Sequence, residues 1–126
     1  MEKDNRRLVE NYIKHYNNMN IQSMLALFAD NAEFESVSNT EGIIKTSNKN
    51  QLSELASASL EFFEKRQQMP LSWVISDNQV AVEIDYWCKL AKDLPNGKKA
   101  GDEMKLRGAS FFEIRDGLIR KLTDYM

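Results

Sequence analysis

The side chains in this sequence best suited to chemistry are carboxylates near its end. Asp124 stands beside Tyr125 on the second arm of a hairpin that turns at Asp116 and Gly117. Glu83 and Asp85 fall two residues apart in the run 80–90. Alternation there puts Ala81, Glu83, Asp85 and Trp87 on one face and Val80, Val82, Ile84, Tyr86 and Cys88 on the other. Carboxyl groups gathered in a partly dry site cannot all stay ionised without a large cost, so one of them keeps its proton to higher pH. A protonated acid next to an ionised one is the arrangement that general acid–base catalysis uses. Alternation taken alone points elsewhere, because it sends the apolar row inward and the acidic row to water.

Other candidates have plainer readings. Tyr12 lies in an apolar helical stripe, where core packing accounts for it. Ser36 offers a hydroxyl but has no histidine base paired with it. Cys88 is the sole cysteine, so no internal disulfide forms, and it reads as a small hydrophobe at an interface. With one histidine as well, the chain has no His/Cys zinc cluster, and neither metal nor cofactor is expected.

The composition bounds these options. A chain of 126 residues with 42% hydrophobic and 29% charged residues suits one globular domain, residues 1–126. A net charge of −2 gives no electrostatic footprint for nucleic acid. No apolar run approaches the roughly 20 residues that cross a bilayer, and no signal peptide precedes the first helix. The expectation is a cytoplasmic protein without nucleic-acid or membrane partners.

The elements that must position the acids follow from periodicity. Leu8, Tyr12, Tyr16 and Met19 recur at helical spacing over residues 4–18. Asn20 suits the N-cap of a second helix over 21–29. Residues 32–37 alternate as a strand, and 38–46 read as a loop around Gly42. Ser47 or Asn48 caps a third helix that should run to about Gln67, with Lys65 and Arg66 at the negative end of its dipole and Pro70 barring continuation. Four strands follow: 71–76, 80–90 and two that flank the Asp-Gly turn, whose residues suit type I′. Helices early and antiparallel strands late mean an α+β domain, with three helices on one face of a sheet.

This order of elements resembles the SnoaL-like branch of the nuclear transport factor 2-like superfamily. The segment 24–36, through Phe28, Phe34 and Ser36, is similar to that family's helix-to-strand joint. The segment 112–125 is similar to its terminal hairpin. The resemblance implies a strongly curved, mostly antiparallel sheet that forms a cone with an internal pocket. It implies catalytic roles for Asp124, in the position of the cyclases' acid/base, and for Asp85, which with Asp124 matches the paired acids of limonene-epoxide hydrolases. Glu83 stands where those hydrolases have a bridging Arg. Tyr12 matches the oxyanion-binding Tyr of ketosteroid isomerases, but Ser36 stands where they carry their catalytic Asp, and Arg107 near their second acid.

The resemblance also reverses the burial reading of the late strands. It turns Glu83, Asp85 and Trp87 into the pocket, along with Arg107 and Phe111 of the next strand and Asp124 of the last. Tyr12, Phe34, Ser36, Glu83, Trp87, Arg107 and Phe111 would then line the pocket around a compact apolar or mixed-polarity ligand. The row Val80, Val82, Ile84 and Tyr86, with Leu106 and Phe112, would form the convex face and join a homodimer. Three readings stay open for the acids: cofactor-free catalysis, a structural ion-pair network, or a solvated sheet face. The competing function is a non-catalytic dimeric module.

Overall fold

The computed structural model describes residues 2–126. Its elements are α1 (Glu2–Asn17), α2 (Ile21–Leu25), β1 (Phe28–Ser38), β2 (Gly42–Thr46), α3 (Lys49–Ser59), a 3-10 turn (Leu60–Phe62), β3 (Phe63–Ser76), β4 (Gln79–Leu90), β5 (Glu103–Arg115) and β6 (Leu118–Tyr125). The strands form one sheet in the order β2-β1-β6-β5-β4-β3. Only β1 and β6 run parallel; every other neighbouring pair is antiparallel. The fold is α+β, with helices over one face of a curved, unclosed sheet. No described helix is long and apolar enough to cross a membrane.

Local chemistry explains the boundaries. Asn20 caps α2 by accepting from the Ser23 amide at 3.1 Å, and Asn48 caps α3 by accepting from the Gln51 amide at 2.9 Å. Gln51 Oε1 reaches back to the Ser47 amide at 2.7 Å, a close relative of the capping box. Asp116 and Gly117 both take positive φ, 54° and 75°, as a type I′ turn requires.

Three expected boundaries are corrected. The third helix stops at Ser59, not Gln67, and Lys65 and Arg66 lie on β3. Phe62 and Phe63 had extended the helical stripe, but they supply the transition into an edge strand. The second helix ends at Leu25, because Phe28 already pairs with Ile119 of β6. Residues 42–46 form β2, which pairs with β1 rather than looping free.

Pro70 and Leu71 sit within β3, where the register shifts between Pro70 and Ser72. An edge strand at a bulge is where a sheet tolerates proline. The extra residue also resets the alternation: Arg66 and Gln68 point inward before it, and Trp73 and Ile75 after it. The free edge is partly covered. The Asn17 side chain accepts from the Gln68 amide at 2.7 Å and donates to the Gln68 carbonyl at 3.1 Å, much as a paired strand would.

The core lies between α1 and the sheet. Val9, Tyr12 and Ile13 of α1 are buried, as are Val80, Val82 and Ile84 of β4 and Phe112 and Leu122 of β5 and β6. The β4 row expected on a convex dimer face is therefore the floor of the core. Gly108 on β5 lets the end of β6 pass close by. A Cβ there would run into the Tyr125 carbonyl oxygen and lie 2.7 Å from Met126 Cγ. Gly108→Ala should cost about 1–3 kcal/mol in urea denaturation, because backbone rather than a flexible side chain must yield.

Candidate functional site

Cross-strand register decides which side chains meet. Asp124 on β6 pairs with Ser36 on β1 and with Ser110 on β5. Phe34, two residues before Ser36, pairs with Leu122. Phe34, Ser36, Leu122 and Asp124 share the face beneath the helices and border a cavity of about 560 Å3. Tyr12 and Tyr16 of α1, Leu52 and Ala56 of α3, and Tyr86 and Cys88 of β4 complete much of its wall. The lining is mainly apolar, interrupted by Asp124, Ser36, Arg66 and Glu41.

Asp124 is surrounded by protein, yet part of its surface opens to the cavity. The Ser110 hydroxyl donates to its Oδ1 at 2.7 Å. Burial lifts the carboxyl from an ordinary 3.8 to about 6, and the Ser110 hydrogen bond pulls it only part of the way back. Burial also raises the Tyr12 phenol, and the negative charge of Asp124 raises it further. Tyr16 is raised by burial as well, and its hydroxyl donates to that of Tyr86 at 3.1 Å. All three tyrosines remain phenols at neutral pH, since burial raises Tyr86 too. Cys88 is buried and its thiol is pushed up, which suits packing rather than nucleophilic chemistry. It faces the cavity, not an interface.

The other expected acids stand on the opposite face. Glu83, Asp85 and Trp87 alternate with the buried row of β4, and Arg107 and Phe111 alternate with buried Ser110 and Phe112 of β5. Their expected grouping is real, but its placement is corrected. Arg107 Nε meets Asp85 Oδ1 at 2.6 Å and Nη1 lies 3.7 Å from Glu83 Oε2. Ser72 donates to Glu83 at 3.2 Å, and Trp87 donates to Glu103 at 2.6 Å. This is an exposed ion-pair network, separated from Asp124 by the sheet itself. Phe111 is half exposed and packs edge-on against Tyr125 at 5.6 Å. Exposing Val80, Val82 and Ile84 would forfeit roughly 1.5–3 kcal/mol each, so burial decides the facing. Tyr12, Phe34, Ser36 and Asp124 are the expected residues that the structure brings to one cavity.

Arg66 is the functional candidate that sequence reading missed. It is 5% exposed and forms part of the cavity wall. Its Nε donates to the Tyr16 carbonyl at 3.1 Å, and its guanidinium lies 3.7 Å from the centre of the Tyr16 ring. Placed at the end of the third helix, it is accounted for by the negative end of the helix dipole. Assigned to β3, it alternates with Gln67 and faces inward. No group of three or more His, Cys, Asp or Glu among the described residues is placed to ligate a metal.

The raised carboxyl has a thermodynamic signature. An unfolded Asp titrates near about 3.9 and the folded Asp124 near about 6. Between these values the folded state holds more protons, so Asp124 lowers stability as pH rises through this window, and the loss persists above it. Asp124→Asn should therefore be more stable than the parent at pH 8, by about 3 kcal/mol, and converge with it below about pH 4. Urea melts across pH check both the sign and the window.

Comparisons with known proteins agree with this architecture. A family model described as a SnoaL-like domain matches residues 9–122. None of the curated proteins matches the chain. A proposed polyketide cyclase from Xanthomonas campestris pv. campestris superposes with a TM-score of 0.85 at 20% identity, covering 99% of this chain and 91% of its own. A phenazine biosynthesis-related protein from Pseudomonas aeruginosa gives 0.82 at 22%, covering 99% and 80%. An LEH-like epoxide hydrolase from M. tuberculosis gives 0.79 at 14%, covering 98% and 83%. At these identities the likeness is one of fold.

Proposed function

We propose that this chain, which belongs to the SnoaL-like domain family, encloses a small, largely apolar molecule and uses Asp124 on it as a cofactor-free general acid–base. One observation carries the reading: a carboxyl with a pKa near 6 and one protein hydrogen-bond donor, Ser110, stands at the wall of an apolar cavity. Such a group is ionised often enough at neutral pH to accept a proton and is basic enough to be useful. Asp124 would take a proton from a carbon acid or a water and return it later, with no net change in the protein. The polyketide cyclase and epoxide hydrolase assignments of its structural relatives are compatible with such chemistry. Asp85 has no part in it, because the sheet separates it from the cavity.

A benzisoxazole tests this, since its ring opens when a base removes its C–H proton. The rate should rise through pH 6, vanish in Asp124→Asn and persist in Asp85→Asn. A neutral fluorescent probe, N-phenyl-1-naphthylamine, should bind the parent and lose affinity in Ala56→Phe, which fills the cavity. Probe binding without base catalysis would leave a binding protein; catalysis that survives Asp124→Asn would remove the role of that residue.

A homodimer is the second reading, supported by a different surface from the one expected. Met69, Val74, Phe111 and Tyr125 are exposed on the face opposite the helices, at 49%, 69%, 50% and 45%. Val74→Lys with Phe111→Lys should convert a dimer to a monomer in sedimentation. A monomeric parent would end this reading and leave the cavity untouched.

A further inference from the structure

We infer that the ligand of this cavity is an organic anion, its carboxylate or comparable oxyanion lying against the Arg66 guanidinium and its apolar body filling the space beside α3. This rests on the cavity being a ligand site and goes on to name the class of ligand. A buried guanidinium normally has a carboxylate partner, because taking its charge out of water is costly. Among the described residues no carboxylate lies within ion-pair distance of Arg66. The Tyr16 carbonyl accounts for its Nε donor and the Tyr16 ring for one of its flat faces. Its Nη2 is buried with no acceptor at all.

Purely structural roles leave that donor unexplained. Gln68 lies two residues along the same inward row, and its Oε1 is buried without a donor. The two groups therefore do not satisfy one another, although both are on β3. An apolar side chain of similar length would fill the wall without the penalty of an unpaired buried charge. The charge of Arg66 therefore has no counter-ion among the described residues, and where its side chain borders the cavity an anion from outside supplies one. The remaining walls, including Phe28, Phe34, Leu52, Phe63 and Leu122, fix the rest of the molecule as apolar or aromatic. A guanidinium charge out of water is matched best by a carboxylate or comparable oxyanion.

Titration calorimetry with 2-naphthoate and 2-naphthamide, equal in shape and different in charge, tests this on the intact protein. The parent should bind the acid at least about tenfold more tightly than the amide, as expected for hydrogen bonds to a charged group. Arg66→Met should abolish that preference, the acid and the amide then binding alike whatever their common affinity, and Arg66→Lys should keep part of it. Equal binding of the two probes by the parent would overturn the anion assignment while sparing the cavity. Binding of neither would overturn both. A preference that survives Arg66→Met would remove Arg66 as its source.

Discussion

The structure depends on one row of aliphatic side chains. Val80, Val82 and Ile84 of β4 are almost wholly buried beneath α1. A strand alternates with a period of two, so fixing this row fixes its opposite row as well. Register then carries the choice across the sheet: Val80 pairs with Phe112, Phe112 with Leu122 and Leu122 with Phe34. Asp124 lies two residues beyond Leu122 and inherits the same face. Glu83 and Asp85 inherit the other. A slip by one residue would bury both acids with Arg107 and expose the aliphatic row, losing hydrophobic and solvation energy together.

The same constraint isolates Asp124. Its chemistry does not come from a neighbouring acid, since Asp85 and Glu83 are bound to Arg107 across the sheet. It comes from removal of water, moderated by one hydroxyl. A lone carboxyl in apolar surroundings is a simpler device than a pair sharing a proton, and it reaches a similar working range by desolvation alone.

The outer strand β3 joins scaffold to site. Asn17 holds the exposed backbone of Gln68, and Arg66 holds the Tyr16 carbonyl in the last turn of α1. A cation at a helix C-terminus is favourable on its own account. That contact also presses the guanidinium into the cavity wall. The bulge at Leu71 lets one strand place Arg66 and Gln68 inward at one end and Trp73 and Ile75 inward at the other.

Much of this was legible in the residues. The Asp-Gly turn, the Asn20 and Asn48 caps, the inward face of α1 and the meander of late strands are local, and local chemistry specifies them. β2 escaped notice because Ile43 and Ile44 are mostly exposed, at 59% and 53%, and show no buried period. Arg66 escaped because Phe62 and Phe63 continue a helical stripe, and strand pairing overrode that local pattern. The sequence by itself determined most of the elements and the α+β class, and plain alternation pointed the aliphatic row of β4 inward although the family resemblance turned it outward, because each follows from spacing along the chain. Only the tertiary structure decided that Asp124 and Arg66 share a cavity while Asp85 faces away, because that depends on pairing between distant strands and on which face the helices cover.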